Sequence, residues 1–312
     1  MAKYCFGIDV GGTSIKCGLF RTDGTLVEKW EIPTRTEDAG AGILPDIADT
    51  IKDKMNQKEI LKTDVEGVGI GIPGPVNSKG EVLVAVNLYW GFKAVAKEME
   101  ELTGLPSKAG NDANVAALGE NWKGAAAGAS SAVMVTLGTG VGGGIIVNEK
   151  IVSGFNGAAG ELGHANMNHE ETESCNCGNR GCLEQYASAT GIVRVAKIEL
   201  AESVKESVLR KVENLTAKDV LDAYKDGDEL AVDVIEKVCD KLGGALALCA
   251  CIVDPEVFVV GGGVSKAGQP LIDCIKKYYY KYAFKPSKNT EIVLATLGND
   301  AGIYGAARMV LE

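Results

Sequence analysis

The segment GHANMNHEETESCNCGNRGCLEQ, residues 163–185, holds three closely spaced cysteines. Cys175, Cys177 and Cys182 have the spacing C-x-C-x4-C, and both histidines of the chain, His164 and His169, precede them. Three thiolates and one imidazole are a usual ligand set for structural zinc, which leaves no open position for a reacting water. The segment therefore predicts a Cys3His zinc site with a structural role, and spacing alone does not choose between the two histidines.

Two carboxylates flank this cluster. Glu161 lies before His164, and Glu184 follows soon after Cys182. A metal ion orients the groups around its ligands, so a zinc ion on His164 would hold both carboxylates beside one polar pocket. This context favours His164 as the fourth ligand.

The segment Gly110-Asn111-Asp112-Ala113-Asn114 carries a second kind of chemistry. A carboxylate at the head of a helix can accept the proton of a substrate hydroxyl, and an adjacent asparagine can hydrogen-bond a polyol. Asp112 is equally suited to cap the helix predicted from about 113 to 124. From the residues alone, both interpretations of Asp112 stay open.

Three glycine-rich turns follow apolar, strand-like runs, at Asp9–Thr13, Gly138–Gly144 and Gly261–Gly263. Glycine lacks a Cβ atom, so backbone N–H groups in such turns can approach phosphate oxygens. Asp9, at a strand end, could hold Mg²⁺ through water. The second turn contains G-x-G-x-x-G but runs into a strand instead of a helix, which favours a phosphate-binding hairpin over a dinucleotide site. The third predicts a contact with a base or ribose, and a plain turn is the alternative for each.

The first two turns belong to a repeated pattern. FGIDVGGTSIKCGLF, residues 6–20, aligns with MVTLGTGVGGGIIVN, residues 134–148. Both segments predict strand, glycine turn and strand, and we interpret them as one supersecondary unit used twice. A ligand would then lie between the two halves. Two unrelated hairpins are the alternative.

Apolar periodicity and composition predict helices at about 40–62, 91–104, 113–124, 185–212 and 216–252, and a short one at the C-terminus. Strands are predicted at 4–10, 15–20, 25–32, VEGVGIGI (65–72), SAVMVTL (131–137), GIIVN (144–148), IVSG (151–154), between Pro255 and Gly261, and at EIVLATL (291–297). Their alternation with helices indicates an α/β class. The 312 residues exceed one ordinary core, so two domains are expected.

The composition argues against several functions. A net charge of −10, without a basic cluster backed by aromatic residues, disfavours binding to nucleic acid. No apolar run reaches the roughly 18 residues of a membrane span, and the first residues lack a signal-peptide pattern. We therefore expect a cytoplasmic protein whose nine cysteines stay reduced.

Together these features resemble the ROK family of sugar kinases and sugar-responsive repressors. The resemblance covers nearly the whole chain and rests on Asp9–Thr13, Gly71–Pro75, Asn111-Asp112, Gly138–Gly144, Glu161–His164, CNCGNRGCLE at 175–184 and Gly261–Gly263. It implies an α/β, two-domain, actin-like ATPase (ribonuclease H-like) fold with a cleft between the domains. The smaller domain would span 1–115 plus a C-terminal helix at about 300–312, and the larger, 116–299, would carry the zinc loop.

The resemblance is closest to bacterial ATP-dependent members that phosphorylate the 6-hydroxyl of glucose. Kinases acting on N-acetylmannosamine, N-acetylglucosamine or fructose are the alternatives. A sugar-sensing repressor is a remote one, because the first strand begins at residue 4 and leaves no room for a DNA-binding segment. A zinc-dependent hydrolase is disfavoured by the saturated ligand set. A homodimer is expected, since family members commonly form one.

The resemblance also implies a role for each site residue. Asp112 would be the general base. The sugar would be held by Asn87, Asn111, Asp112, Glu161, His164 and Glu184, and structural Zn²⁺ by His164, Cys175, Cys177 and Cys182. ATP and Mg²⁺ would be bound by Asp9, Gly11, Gly12, Thr13, Lys16, Gly138, Thr139, Gly140, Gly261, Gly262 and Gly263.

Overall fold

Two five-stranded sheets organise residues 3–312, the part of the chain that the computed structural model describes. The strands are β1 (Tyr4–Val10), β2 (Ser14–Arg21), β3 (Leu26–Pro33), β4 (Val65–Ile72), β5 (Ser107–Asn111), β6 (Ser131–Leu137), β7 (Val141–Val147), β8 (Lys150–Ile151), β9 (Val257–Gly261) and β10 (Glu291–Leu294). The first sheet has the order β3-β2-β1-β4-β5, and the second has the order β10-β9-β6-β7-β8.

Helices alternate with these strands, so the predicted α/β class is confirmed. They are α1 (Glu37–Gly40), α2 (Ile43–Gln57), α3 (Val95–Thr103), α4 (Asp112–Lys123), α5 (Glu184–Ala187), α6 (Ala189–Glu202), α7 (Ala217–Lys225), α8 (Glu229–Val253), α9 (Gln269–Tyr282) and α10 (Ala301–Met309). Among residues 3–312, none of the helices combines the length and the apolar character that crossing a bilayer requires.

The two sheets share one topology. From its other edge, the second sheet has the order β8-β7-β6-β9-β10, which matches β3-β2-β1-β4-β5 of the first sheet strand for strand. β1 pairs in parallel with β4, as β6 does with β9, and the hairpin partners β2 and β7 lie beside β1 and β6. The repeat predicted from the sequence is therefore present in the structure, and its two glycine turns occupy equivalent positions.

Helix α10 packs against the first sheet through glycines. A Cβ atom on Gly7 of β1 would lie 2.0 Å from the carbonyl oxygen of Ile303, and one on Gly69 of β4 would lie 1.8 Å from that of Ala306. Only glycine permits so close an approach. On the opposite face of β1, Phe6 and its alternate neighbours are buried in a core shared with α2 and α3.

The chain divides into two compact units. Unit 1 contains the described residues up to Ser130, together with Gly144–Gly160 and Thr296–Glu312, and unit 2 contains Ser131–Gly143 and Glu161–Ala295. The sequence predicts that the second domain begins at residue 116. This domain boundary stays a prediction. Both divisions join the C-terminal helix to the N-terminal part of the chain.

The helical predictions over 185–252 are partly wrong. The helix predicted over 185–212 is two helices, α5 and α6, with Ser188 between them. Helix α6 ends at Glu202, beyond which Ser203 accepts a hydrogen bond from the N–H of Lys205 at 3.1 Å. Such local bonds compete with the helical ladder. The helix predicted over 216–252 is two helices, because Gly227 adopts a φ of 82° and ends α7.

Candidate functional site

Asp112 is the first residue of α4, directly after β5. The cap of this helix is Asn111, whose Oδ1 accepts hydrogen bonds from the N–H groups of Ala113 at 3.0 Å and Asn114 at 3.1 Å. The interpretation of Asp112 as the cap is therefore wrong, since Asn111 already satisfies the donors that a cap serves. Asp112 is half-buried, and its Oδ1 accepts from the N–H of Ala113 at 2.8 Å.

Asn111 also holds the loop that follows β4. Its Nδ2 donates a hydrogen bond to the carbonyl oxygen of Gly74 at 3.1 Å. Gly74 lies in the segment Gly71–Pro75 that contributed to the family resemblance. The predicted base and the predicted sugar-binding asparagine are thus adjacent at the carboxyl end of β5, and both are held by backbone contacts.

The turn Asp9–Thr13 joins β1 to β2. Nζ of Lys16 lies 3.8 Å from Oδ2 of Asp9 and donates a hydrogen bond to the carbonyl oxygen of Asn299 at 3.1 Å. Burial raises the pKa of Asp9, and the charge of Lys16 offsets part of that shift. The structure therefore brings Asp9, Lys16 and the first glycine turn together in unit 1.

Two further residues of unit 1 lie beside this turn. Asn87 is exposed in a 3₁₀ turn, and a Cβ atom on Gly12 would lie 3.8 Å from its Cβ. Gly302 of α10 packs against Asp9, because a Cβ atom there would lie 2.6 Å from the Cγ of the carboxylate. Asn87 is thus next to the first glycine turn, as well as being a candidate for sugar binding.

In unit 2, the second and third glycine turns meet. Gly262 has a φ of 84°, and a Cβ atom there would lie 2.5 Å from the carbonyl oxygen of Leu137. Leu137 ends β6, and the second turn begins at Gly138. The sequence presented these turns as separate features, and the structure places them side by side.

Packing does not explain every glycine in these turns. A Cβ atom on Gly138 would come no closer than 4.0 Å to another atom of the described residues, and one on Gly263 would meet none within 4 Å. Neither residue adopts the left-handed conformation that favours glycine. Glycine at these positions suits the close approach of another molecule to the backbone.

The predicted metal ligands come together in unit 2. The ligand atoms of His164, Cys175, Cys177 and Cys182 all lie within 4.8 Å of one another. The Sγ atoms of Cys177 and Cys182 are 3.6 Å apart, and two thiolates on tetrahedral zinc with 2.3 Å bonds are about 3.8 Å apart. His169 is exposed and does not belong to this group. The structure thus selects His164 where spacing alone did not.

The imidazole of His164 supplies a test of the fit. Its Nδ1 is buried and has no hydrogen-bond partner in the described residues 3–312. A buried polar atom without a partner is costly, and a metal ion is a natural partner for a neutral imidazole nitrogen. The residues present therefore fit a zinc ion, with Cys3His ligation and no open position.

Glu184 connects this cluster to the second glycine turn. Its Oε2 accepts a hydrogen bond from the N–H of Val141 at 3.0 Å, and its Oε1 lies 3.7 Å from Sγ of Cys175. Glu161, the other predicted flanking carboxylate, is exposed and precedes the 3₁₀ turn that ends at His164. The carboxylate of Glu184 is therefore fixed by unit 2 itself.

The sequence did not predict a role for three hydroxyl side chains near the turns. Thr34 donates through Oγ1 to the carbonyl oxygen of Gly11 at 2.7 Å, and Thr190 donates through Oγ1 to that of Thr139 at 2.9 Å. Ser188 caps α6. A serine before a helical pattern is a recognisable cap signal, whereas nothing in the sequence indicates which carbonyl a distant threonine reaches.

Comparison with known proteins places these features in a family. Residues 5–312 match the ROK family. A glucokinase from Halalkalibacterium halodurans is 45% identical over 316 residues, which cover 99% of this chain and 96% of that protein.

Two solved structures are similar over the full length. The ROK hexokinase from Thermus thermophilus superposes with a TM-score of 0.84 at 29% identity, covering 97% of this chain and 96% of the other. A ROK family glucokinase from Streptomyces griseus, in complex with glucose and AMPPNP, gives a TM-score of 0.77 at 34% identity and covers 98% of each chain. These kinases have the actin-like ATPase fold, and this chain shares it. The family match covers residues 5–312, and one relative is 45% identical over 99% of this chain. The chain therefore belongs to the ROK family.

Proposed function

We propose that the protein is an ATP-dependent hexokinase that phosphorylates the 6-hydroxyl of glucose and releases glucose 6-phosphate and ADP. The observation that carries this proposal is the 45% identity to a glucokinase over 99% of the chain. The glucokinase from Streptomyces griseus, bound to glucose and AMPPNP, supports the same pair of ligands.

Asp112 is the proposed general base. Its half-buried carboxylate, at the first position of α4, accepts the proton of the sugar hydroxyl as the oxygen attacks phosphorus. Asn111 binds a neighbouring hydroxyl while its Oδ1 keeps the helix start in place. The remaining sugar contacts are assigned to Asn87, Glu161, His164 and Glu184.

The glycine turns are the proposed sites for the phosphates of ATP. Their backbone N–H groups and Lys16 neutralise the charge that is spread over the phosphoryl oxygens in the transition state. The residues assigned to the binding of ATP and Mg²⁺ are Asp9, Gly11, Gly12, Thr13, Lys16, Gly138, Thr139, Gly140, Gly261, Gly262 and Gly263. Asp9 is the carboxylate that would hold Mg²⁺ through water, and the ion would supply positive charge to neutralise the phosphates.

We assign a structural zinc ion to His164, Cys175, Cys177 and Cys182. The convergence of the four ligand atoms and the unpaired Nδ1 of His164 support this assignment. With four protein ligands the ion would orient the loop that carries Glu161 and Glu184 and take no part in proton transfer. A cytoplasmic location and a homodimer stay predictions.

The proposal is tested by coupling ADP release to a spectroscopic assay over a panel of sugars: glucose, mannose, fructose, allose, N-acetylglucosamine and N-acetylmannosamine. We expect glucose to give the highest kcat/KM, because a site built to hydrogen-bond each hydroxyl rejects analogues that leave a partner unpaired. A higher value for another sugar would replace glucose as the substrate. If ATP binds and no sugar raises ADP release above the sugar-free rate, the kinase assignment is wrong.

A further inference from the structure

Each of the first two glycine turns has a carbonyl group that is tied to a threonine from outside the turn. In unit 1, Oγ1 of Thr34 donates to the carbonyl oxygen of Gly11 at 2.7 Å. In unit 2, Oγ1 of Thr190 donates to the carbonyl oxygen of Thr139 at 2.9 Å. In the alignment of residues 6–20 with 134–148, Gly11 and Thr139 are the same position of the repeat.

Neither threonine lies in the repeated segment. Thr34 follows the end of β3, and Thr190 lies in the first turn of α6. The alignment of the two hairpins therefore does not account for the shared contact. Two different elements of the fold supply a hydroxyl to the same carbonyl of the turn.

Because the peptide group is planar, a hydrogen bond that fixes a carbonyl oxygen also fixes the direction of the N–H group in the same plane. The peptide bond is planar and trans, so the C=O of one residue and the N–H of the next point in opposite directions. The carbonyl of Gly11 shares its plane with the N–H of Gly12, and the carbonyl of Thr139 shares its plane with the N–H of Gly140. Fixing each carbonyl on a threonine hydroxyl therefore turns the following glycine N–H to the opposite side of the turn.

Backbone groups reinforce both arrangements. The N–H of Thr34 donates to the carbonyl oxygen of Thr13 at 3.1 Å. In the second turn, the N–H of Ala189, next to Thr190, donates to the carbonyl oxygen of Gly138 at 2.8 Å. Each turn is thus held at two carbonyls by one short segment that lies outside it.

The N–H groups that are turned outward have no acceptor in the part of the chain that the structure describes. No hydrogen bond from the N–H of Gly12 or of Gly140 is found within residues 3–312. Other N–H groups are used inside the turns: that of Gly11 donates to the carbonyl oxygen of Ser14, and that of Gly138 donates to the carbonyl oxygen of Gly140, both at 3.0 Å. The N–H groups of Gly12 and Gly140 are therefore available to an external acceptor such as a phosphate oxygen.

We infer that Thr34 and Thr190 are positioning residues, which aim the N–H groups of Gly12 and Gly140 at the phosphate groups of the nucleotide. This inference rests on the proposed function for the identity of the ligand. It assigns to these two side chains a role that acts through the peptide planes of the turns.

The test is the equilibrium affinity for ATP and for adenosine, measured by calorimetry or competition without sugar, in Thr34→Val and Thr190→Val. Valine keeps the shape of threonine and removes the hydroxyl. We expect each variant to bind ATP about two- to tenfold more weakly, the range that one hydrogen bond supports. Adenosine affinity should stay unchanged, because adenosine lacks the phosphates. Thr34→Ser and Thr190→Ser should restore ATP binding to within about twofold.

Thr103→Val is the matched control. Oγ1 of Thr103 also donates to a carbonyl oxygen, that of Met99 at 2.7 Å, but it lies at the end of α3. We expect this variant to lower thermal stability and to leave ATP affinity unchanged. ATP affinity unchanged in both turn variants would overturn the inference, as would an equal loss for ATP and adenosine or a failure of serine to restore binding.

These measurements separate the inference from the proposed function. If the parent protein binds ATP but phosphorylates no sugar of the panel, the proposed function is wrong, and the binding comparison still decides the roles of Thr34 and Thr190. If the sugar assay succeeds and the variants bind ATP like the parent, the inference alone is wrong.

Discussion

The carboxylate of Glu184 accepts a hydrogen bond from the backbone N–H of Val141, with 3.0 Å between Oε2 and N. This contact joins the residue that follows the cysteine cluster to the end of the second glycine turn. Gly140 leaves room for it, since a Cβ atom there would lie 2.3 Å from the same Oε2. The loop of the proposed zinc site and the proposed phosphate turn are therefore parts of one hydrogen-bonded structure within unit 2.

The first prediction concerns Gly140→Ala. The new methyl group cannot share space with Oε2 of Glu184, so the carboxylate must leave the N–H of Val141. Loss of a hydrogen bond to a charged group costs about 1.5–3 kcal/mol, and we expect the melting temperature to fall by about 5 °C. The KM for glucose should rise, because Glu184 is a proposed sugar ligand. Thermal unfolding and steady-state kinetics measure both effects.

Gly91→Ala is the control for this substitution. Among residues 3–312, no atom lies within 4 Å of a Cβ atom built on Gly91, and its φ is outside the left-handed region. It should leave the melting temperature within about 1 °C of the parent. If both substitutions change the melting temperature equally, the close approach of Glu184 to Gly140 does not contribute to stability.

Asp112→Asn tests the proposed base. Asparagine keeps the size of the side chain but cannot take the hydroxyl proton, so we expect kcat to fall about 10²–10⁴-fold. Glucose and ATP affinities, measured by calorimetry, should stay within about threefold of the parent, because the substitution spares the Asn111 cap. Glu229→Gln, which changes the first residue of α8 in the same way, should leave kcat unaltered. Turnover near that of the parent would remove Asp112 from its role.

Cys177→Ser tests the metal site. We expect zinc content, measured by mass spectrometry, to fall from about one ion per chain, since a serine hydroxyl is a poor replacement for a thiolate. The melting temperature should drop, because binding of a structural metal contributes to folding. Cys251 is also exposed but lies outside the cluster, so Cys251→Ser should change neither quantity. A parent protein that is folded and holds no transition metal would contradict the assignment.

Asp9→Asn should change how stability depends on pH. Burial raises the pKa of Asp9 above 3.8, so the folded chain holds this proton more tightly than the unfolded chain. Ionisation of Asp9 therefore opposes folding, and its cost grows as pH rises from about 4 through the raised pKa. The melting temperature of Asp9→Asn relative to the parent, without Mg²⁺ or ATP, should be higher at pH 8 than at pH 4.

The side chain of Asp49 is 73% exposed, which makes Asp49→Asn a suitable comparison. Its difference from the parent should not grow with pH. If the Asp9→Asn difference is the same at both ends of the range, burial does not govern the charge of Asp9.

The strands were easier to predict than the helices because most are continuous apolar runs. VEGVGIGI and SAVMVTL form β4 and β6 over the residues expected. β5, with the sequence SKAGN, carries no apolar run, and Ser107 is its one buried residue. It was missed because its place in the sheet comes from pairing with β4 rather than from its own composition.

Within the site, the sequence predicted those groups of residues that lie close to one another along the chain. The metal ligands fall within one loop, and Asn111 and Asp112 are neighbours, so their proximity follows from the chain itself. The contact of Glu184 with Val141 spans 43 residues, and that of Thr190 with Thr139 spans 51. Such contacts depend on how whole elements pack, and no local pattern encodes them.

The packing of α10 has a consequence for how the chain is made. This helix fills the face of β1 and β4 that carries Gly7 and Gly69, yet it is synthesised more than two hundred residues after them. During most of translation, the part of the N-terminal sheet that α10 covers in the folded protein is therefore exposed. That surface is where a nascent-chain chaperone would be needed, and premature termination before Ala301 should yield material prone to aggregation even though every N-terminal strand is intact.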